Sequence, residues 1–167
     1  MDTGTVIIAL IITMVGIIPL VLISRSNKKR ENKYFQIITN LAEENNYRIT
    51  QYNIGSNFVI GIDTNANILF FCRTKKGIET TQIVSLTNVT GSRVINTTRM
   101  EYYNESKQSI TDKLELEFDQ KDSKNSVILF EFYNIYDEGS SLNGELQLID
   151  YWCRLINDKI YLMKKGI

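Results

Sequence analysis

The sequence predicts a mainly β, α+β chain: an N-terminal transmembrane helix, then an antiparallel sheet domain, barrel or sandwich, capped by a C-terminal amphipathic helix. Three observations carry this. The run from Val6 to Ile23 holds 18 residues without a charge, several later stretches alternate apolar and polar residues, and the last apolar residues recur every three or four positions.

At about 1.5 Å per residue the first run reaches roughly 27 Å as a helix, close to the hydrocarbon thickness of a bilayer. A cleaved export signal would carry cations ahead of the run and a small-residue cleavage site behind it; here MDTGT stands in front and SRSNKKR behind. A buried soluble helix would show a polar stripe, which this run lacks. Arg25, Lys28, Lys29, Arg30 and Lys33 follow the run and Asp2 precedes it, so the positive-inside rule places the N-terminus outside and the rest in the cytoplasm. The reading is therefore an uncleaved anchor over residues 1–24 and a basic flank over 25–33 lying at the membrane surface. Together with one proline and many Asn, Ile and Lys residues, it describes a single-pass inner-membrane protein of a bacterium.

About 130 residues remain, enough for one domain with a sizeable core. Setting aside Asp2, Glu31 and the five flank cations leaves 14 basic residues against 17 acidic ones, a net charge of −3. A mildly acidic domain is a poor match for nucleic acid. The absence of histidine removes the commonest general base and transition-metal ligand, and no metal or other cofactor is implied. Cys72 and Cys153 fall on apolar patterns and read as buried thiols. The triplets at Asn88, Asn96 and Asn104 carry little meaning on the cytoplasmic side.

Between Glu31 and about Asn46, Phe35, Ile38, Leu41 and Ala42 recur at helical spacing, so 34–52 reads as an amphipathic helix and connector. Phe58, Ile60 and Ile62 then alternate, the turn DTNAN follows, and Ile68, Phe70 and Cys72 alternate again, a hairpin. Arg73, Lys75, Lys76 and Gly77 form the next turn and lead into TTQIVSL and VTGSRVI, rich in β-branched residues. TTRMEYYNESKQS is a longer excursion between strands. In KLELEFD, Leu114, Leu116 and Phe118 face the core, while Lys113, Glu115, Glu117 and Asp119 are expected on a solvated face. SVILFEFY pairs with it, Ile128, Phe130 and Phe132 inward and Glu131 on the opposite face. From near Asn143, Leu146, Ile149, Trp152, Cys153, Ile156 and Ile160 mark a long amphipathic helix that needs a sheet to cover.

Six or seven antiparallel strands before one helix with an inward Trp152 resemble the pleckstrin-homology-like (PH-like) fold. The runs GIDTNANILFFC and ETTQIVSLTNVTGSRV are similar to the opening strands of its bacterial members. The resemblance places a PH-like domain at 53–167 and implies two packed sheets, a helix plugging one open end, and binding instead of catalysis. Phosphoinositide-binding members carry cations around the first hairpin loop; this chain is expected to have Asp63 to Asn67 there, which counts against inositol lipids.

The first functional expectation is a non-catalytic, membrane-tethered binding or scaffold domain that engages a protein or peptide partner at the cytoplasmic face. Arg73, Lys75, Lys76, Tyr133 and Tyr136 are its candidate contacts, with Tyr102 and Tyr103 as further aromatics. The simpler reading of the three cations is a solvated turn. The competing readings are an anionic-lipid surface module, using Arg25 to Lys33 with Arg73, Lys75 and Lys76, and an outer-face enzyme built on Glu115 and Glu117.

Overall fold

The computed structural model describes residues 28–103, 106–121, 127–139 and 142–166. Helix α1 runs over residues 28–44. It is followed by β1 (Gln51–Ile54), β2 (Phe58–Asp63), β3 (Ile68–Lys75) and β4 (Ile78–Ser85). A single 3-10 turn at Leu86–Asn88 leads to β5 (Val89–Tyr103), β6 (Ser106–Gln120) and β7 (Ile128–Asn134), then to the short α2 (Ile135–Glu138) and the long α3 (Glu145–Lys165). The strands form two antiparallel meanders, ordered β1-β2-β3-β4 and β5-β6-β7. The fold is thus mixed α+β and mostly β. Among the described residues no helix is long and apolar enough to cross a membrane. The anchor expected at Val6 to Ile23, and Arg25 behind it, lie outside the described residues.

The first sheet is covered on both faces. Strands β2 and β3 read FVIGID and ILFFC, near-continuous apolar runs of the kind that suit a strand with no wet side. On one face Phe58, Ile60, Ile62, Leu69 and Phe71 join Leu114, Leu116, Phe118, Phe130 and Phe132 of the second sheet in the main core. On the other, Val59, Ile68, Phe70 and Cys72 pack against Tyr34, Ile38 and Ala42 of α1. The register pairs Ile60 with Phe71 and Val59 with Cys72, so the alternating set Ile68, Phe70 and Cys72 lies on the face opposite Phe58, Ile60 and Ile62. Glycine at position 61 lets α1 approach, since a side-chain carbon there would lie 2.9 Å from Ile38 Cδ1. Helix α1 is thereby part of the packed domain and not a detached connector. Lys33 Nζ adds an ion pair to Glu79 of β4 at 2.6 Å.

The hairpin DTNAN joins β2 to β3, so it is the second turn of the sheet and not the first. Strand β1, short and polar, precedes it, and the turn Gly55–Asn57 opens the sheet. In DTNAN, Asp63 Oδ1 accepts from the N–H groups of Asn65 and Ala66 at 2.9 and 3.0 Å, and Asn67 takes a left-handed φ of 59°. Oδ2 of the same carboxylate accepts from Arg48 N–H at 2.9 Å, fastening the chain between α1 and β1.

In the second sheet β7 pairs with β6 only between Lys113 and Phe118. Past a register shift at Thr97/Thr98, β5 and β6 continue as a two-stranded arm, Thr98 opposite Thr111 and Tyr102 opposite Lys107. The described residues of the excursion, 97–103 and 106–109, fall on this arm, with Met100 and Tyr102 exposed on it.

Helix α3 buries Ile149, Trp152, Ile156 and Ile160, the spacing expected of an amphipathic helix, while Leu146 is partly exposed and Cys153 half-buried. Buried Glu145 accepts from the Ser56 hydroxyl and from Asn143 N–H, which holds the helix start against the β1–β2 turn. Lys164 and Lys165 occupy the last turn, where cations suit the helix dipole, and Gly166 closes it at φ 71°.

Candidate functional site

Two places on the domain gather chemistry: a charge network where β3 meets β7 and α2, and a groove between β1 and α3. The network begins with Arg73, the last core-facing residue of β3, opposite Phe58 and Thr80. It is only 6% exposed. Its Nε lies 2.9 Å from Glu131 Oε1, its Nη1 donates to the Glu131 carbonyl at 2.9 Å, and its Nη2 is 3.8 Å from Asp137 Oδ2. Lys75 Nζ meets the same Asp137 oxygen at 2.8 Å. Lys113 Nζ bridges Glu115 Oε1 at 2.7 Å and Glu131 Oε2 at 3.2 Å. Three cations thus interleave with three carboxylates, each group beside an opposite charge, which offsets the cost of taking them out of water. The hydrogen bond from Lys75 is the largest influence on Asp137 and holds its carboxyl below the usual carboxylate range, against the opposing effect of burial. Burial works to lower Lys113, but the hydrogen bonds it donates to Glu115 and Glu131 outweigh that and leave the ammonium raised.

This corrects the solvated-face expectation for Glu115 and Glu117, both of which are buried. Lys113 Nζ donates to Glu115 and Arg93 Nη2 to Glu117, so each carboxylate is held by a cation of the same sheet. Glu115 and Glu117, the pair expected for acid–base chemistry, each lie beside a cation, Lys113 and Arg93, and Glu115 and Glu131, opposite each other in the β6–β7 register, share that lysine. A cavity of about 250 Å³ opens beside the network, with Phe71, Leu129 and Gln82 in its walls. Among the described residues no cluster of three or more His, Cys, Asp or Glu could hold a metal ion.

The five residues expected to contact a partner divide. Arg73 is inside the network, and Tyr133, 1% exposed, donates its hydroxyl to the Gly139 carbonyl, so neither offers a surface contact. They were misread because a charge beside a turn and an aromatic at a strand end have the same local pattern whether they point in or out. Lys75, exposed but paired, Lys76 in a left-handed turn at φ 51° and Tyr136, 80% exposed, remain at the surface, all on the side where Asp137 meets β3. Of the flank, Lys28, Lys29, Arg30 and Lys33 are exposed at the start of α1.

The groove has no counterpart in the expectations, because it depends on β1, whose QYNI carries no strand pattern. Helix α3 runs past two sheet edges and treats them differently. At β5, Asn157 Oδ1 accepts from Ser92 N–H at 2.8 Å and Asn157 Nδ2 donates to the Ser92 carbonyl at 2.9 Å. One side-chain amide thus occupies both backbone groups that a further strand would use. At β1, side chains alone reach across: Trp152 Nε1 donates to Asn53 Oδ1 at 3.1 Å, and Gln51 donates to the Tyr151 hydroxyl. Between them lies an open groove of about 520 Å³ walled by Tyr52, Ile54, Gln147, Leu148 and Tyr151.

Comparison of the chain with protein-family models, with curated proteins and with solved structures finds no match.

Proposed function

We propose that the protein is a membrane-tethered, non-catalytic binding domain of PH-like type, which engages an extended segment of a protein partner at the cytoplasmic face. Four antiparallel strands, then three, then one helix carrying a buried Trp152 support the PH-like reading. The tether and its sidedness rest on the uncharged run Val6 to Ile23 and the cations behind it.

The observation that carries the partner class is the contrast between the two edges beside α3. The edge of β5 is closed by Asn157, while that of β1 faces a groove with half-exposed Tyr52 and Tyr151 on its walls. Strand addition uses backbone groups for affinity and flanking side-chain pockets for selectivity, and this groove offers both. Tethering raises the effective concentration of such a contact at the membrane.

The test is peptide display against the full chain held in lipid nanodiscs. Enriched extended peptides should lose binding with Leu148→Asp and keep it with Lys121→Glu at the opposite end of the domain. Enrichment that ignores Leu148→Asp, or no enrichment at all, contradicts the reading.

A further inference from the structure

The chain enters the domain at one end, and the residues gathered there have a composition that the groove does not use. Helix α1 begins at this end, since Lys33 pairs with Glu79 near the β3–β4 turn and Arg30 lies beside Gly55 and Ser56 of the β1–β2 turn. Both turns are held together, Thr74 N–H donating to the Asn57 carbonyl at 2.8 Å. Helix α2 is joined to them through Asp137 and Lys75. Two large side chains stand out from this end, Ile78 at 70% and Tyr136 at 80% exposure. Glu79 is taken up by Lys33 and Asp137 by Lys75. Among the described exposed side chains there, Glu31 stands against Lys28, Lys29, Arg30 and Lys76. The opposite end, with the turn Asp63 to Asn67, also carries cations and exposed apolar groups, Lys159, Lys164 and Lys165 with Tyr161 and Leu162, so what sets the first end apart is that α1 begins there.

We propose that this end of the domain rests on an anionic lipid surface, with Ile78 and Tyr136 entering the headgroup region and Lys76 and the α1 cations meeting lipid phosphates. The inference rests on the reading of Val6 to Ile23 as a membrane span. Four residues lie between Ile23 and Lys28, a reach of at most about 18 Å over the five steps when fully extended, so the start of α1 is held close to the bilayer. An isoleucine and a tyrosine beside lysines suit the interface, where apolar bodies are buried and cations attract anionic headgroups. The consequence is an orientation: α1 and the first sheet stand on the membrane by the β1–β2 and β3–β4 turns.

The full chain, carrying Cys153→Ser, is reconstituted in vesicles rich in phosphatidylglycerol. An environment-sensitive fluorophore is placed at Ile78→Cys and, for comparison, at Asn65→Cys in the β2–β3 turn; buried Cys72 stays unlabelled. Quenching by lipids spin-labelled near the headgroup is expected to be severalfold stronger at position 78 than at 65, and to fall with Lys76→Glu and in phosphatidylcholine alone. If the chain floats with the vesicles yet position 78 is quenched no more than 65, the proposal falls and this end is left for a protein. If the chain does not float, the span reading fails and the proposal with it. Quenching at 78 that is unchanged by both Lys76→Glu and neutral lipid overturns the recognition of anionic headgroups.

Discussion

The indole N–H of Trp152 donates to the side-chain oxygen of Asn53 at 3.1 Å, tying the C-terminal helix to the edge strand β1 across 99 residues of sequence. The tryptophan is fully buried, so this bond satisfies a donor that would otherwise be stranded in the core. Trp152→Phe keeps most of the packing but removes the donor and leaves Asn53 without it. A loss of about 1–3 kcal/mol in urea unfolding is expected. Asn53→Leu in the Trp152→Phe background should recover part of that loss, and a strictly additive double variant would contradict the coupling.

Asn157 closes the β5 edge by bonding both backbone groups of Ser92. Asn157→Ala leaves the part-buried N–H and carbonyl of Ser92 without this partner, and a destabilisation of about 1 kcal/mol is expected. The bared edge also becomes a template for pairing with a second chain. Sedimentation of the variant should therefore show concentration-dependent association that the parent lacks.

Helix α1 seals Cys72, whose thiol is pushed up to about 11, chiefly by burial and secondly by Glu79. At pH 8 the thiolate fraction is then of order one in a thousand, so labelling at this position must be slow in the native state. Ile38→Ala removes a fully buried contact from α1, with an expected cost of about 2–4 kcal/mol. Cys72 should become reactive in that variant at denaturant concentrations where the main core, followed by Trp152 fluorescence, is intact. Simultaneous exposure of both would mean that α1 and the sheets unfold as one unit.

Acid should weaken the fold through Asp63 and Asp137. Hydrogen bonding from Arg48 is the chief cause that holds Asp63 low, and Lys75 does so for Asp137. Both carboxyls bind their proton less readily in the fold than in the unfolded chain, whose value is about 3.9. Their contribution is therefore complete above that pH and disappears as pH falls through the lower folded values. Asp63→Asn should reduce stability at neutral pH and flatten the acid limb in urea titrations. An acid limb as steep as that of the parent would assign the effect elsewhere.

Much of the sheet was legible because one-sided strands alternate: Leu114, Leu116 and Phe118 are all fully buried, as their spacing indicates. Where both faces are apolar, alternation ceases to specify direction, and spacing alone does not show that Phe70 and Cys72 turn to α1 while Leu69 and Phe71 turn to the main core. Strand β1 escaped because QYNI is short and polar; its place is set by pairing with β2, a non-local relationship. Arg73 and Glu117 were read as wet because charge ordinarily is, whereas each is buried beside a partner distant in sequence. The groove depends on β1, so it could not be read before that strand was known.

The central claim is a tethered domain on the cytoplasmic side, and protease accessibility of a C-terminal tag measures it most directly. Protection in intact spheroplasts, followed by digestion once the inner membrane is opened, is the expected result. Digestion while that membrane is still closed would contradict it and place the groove, Ile78 and Tyr136 on the outer face.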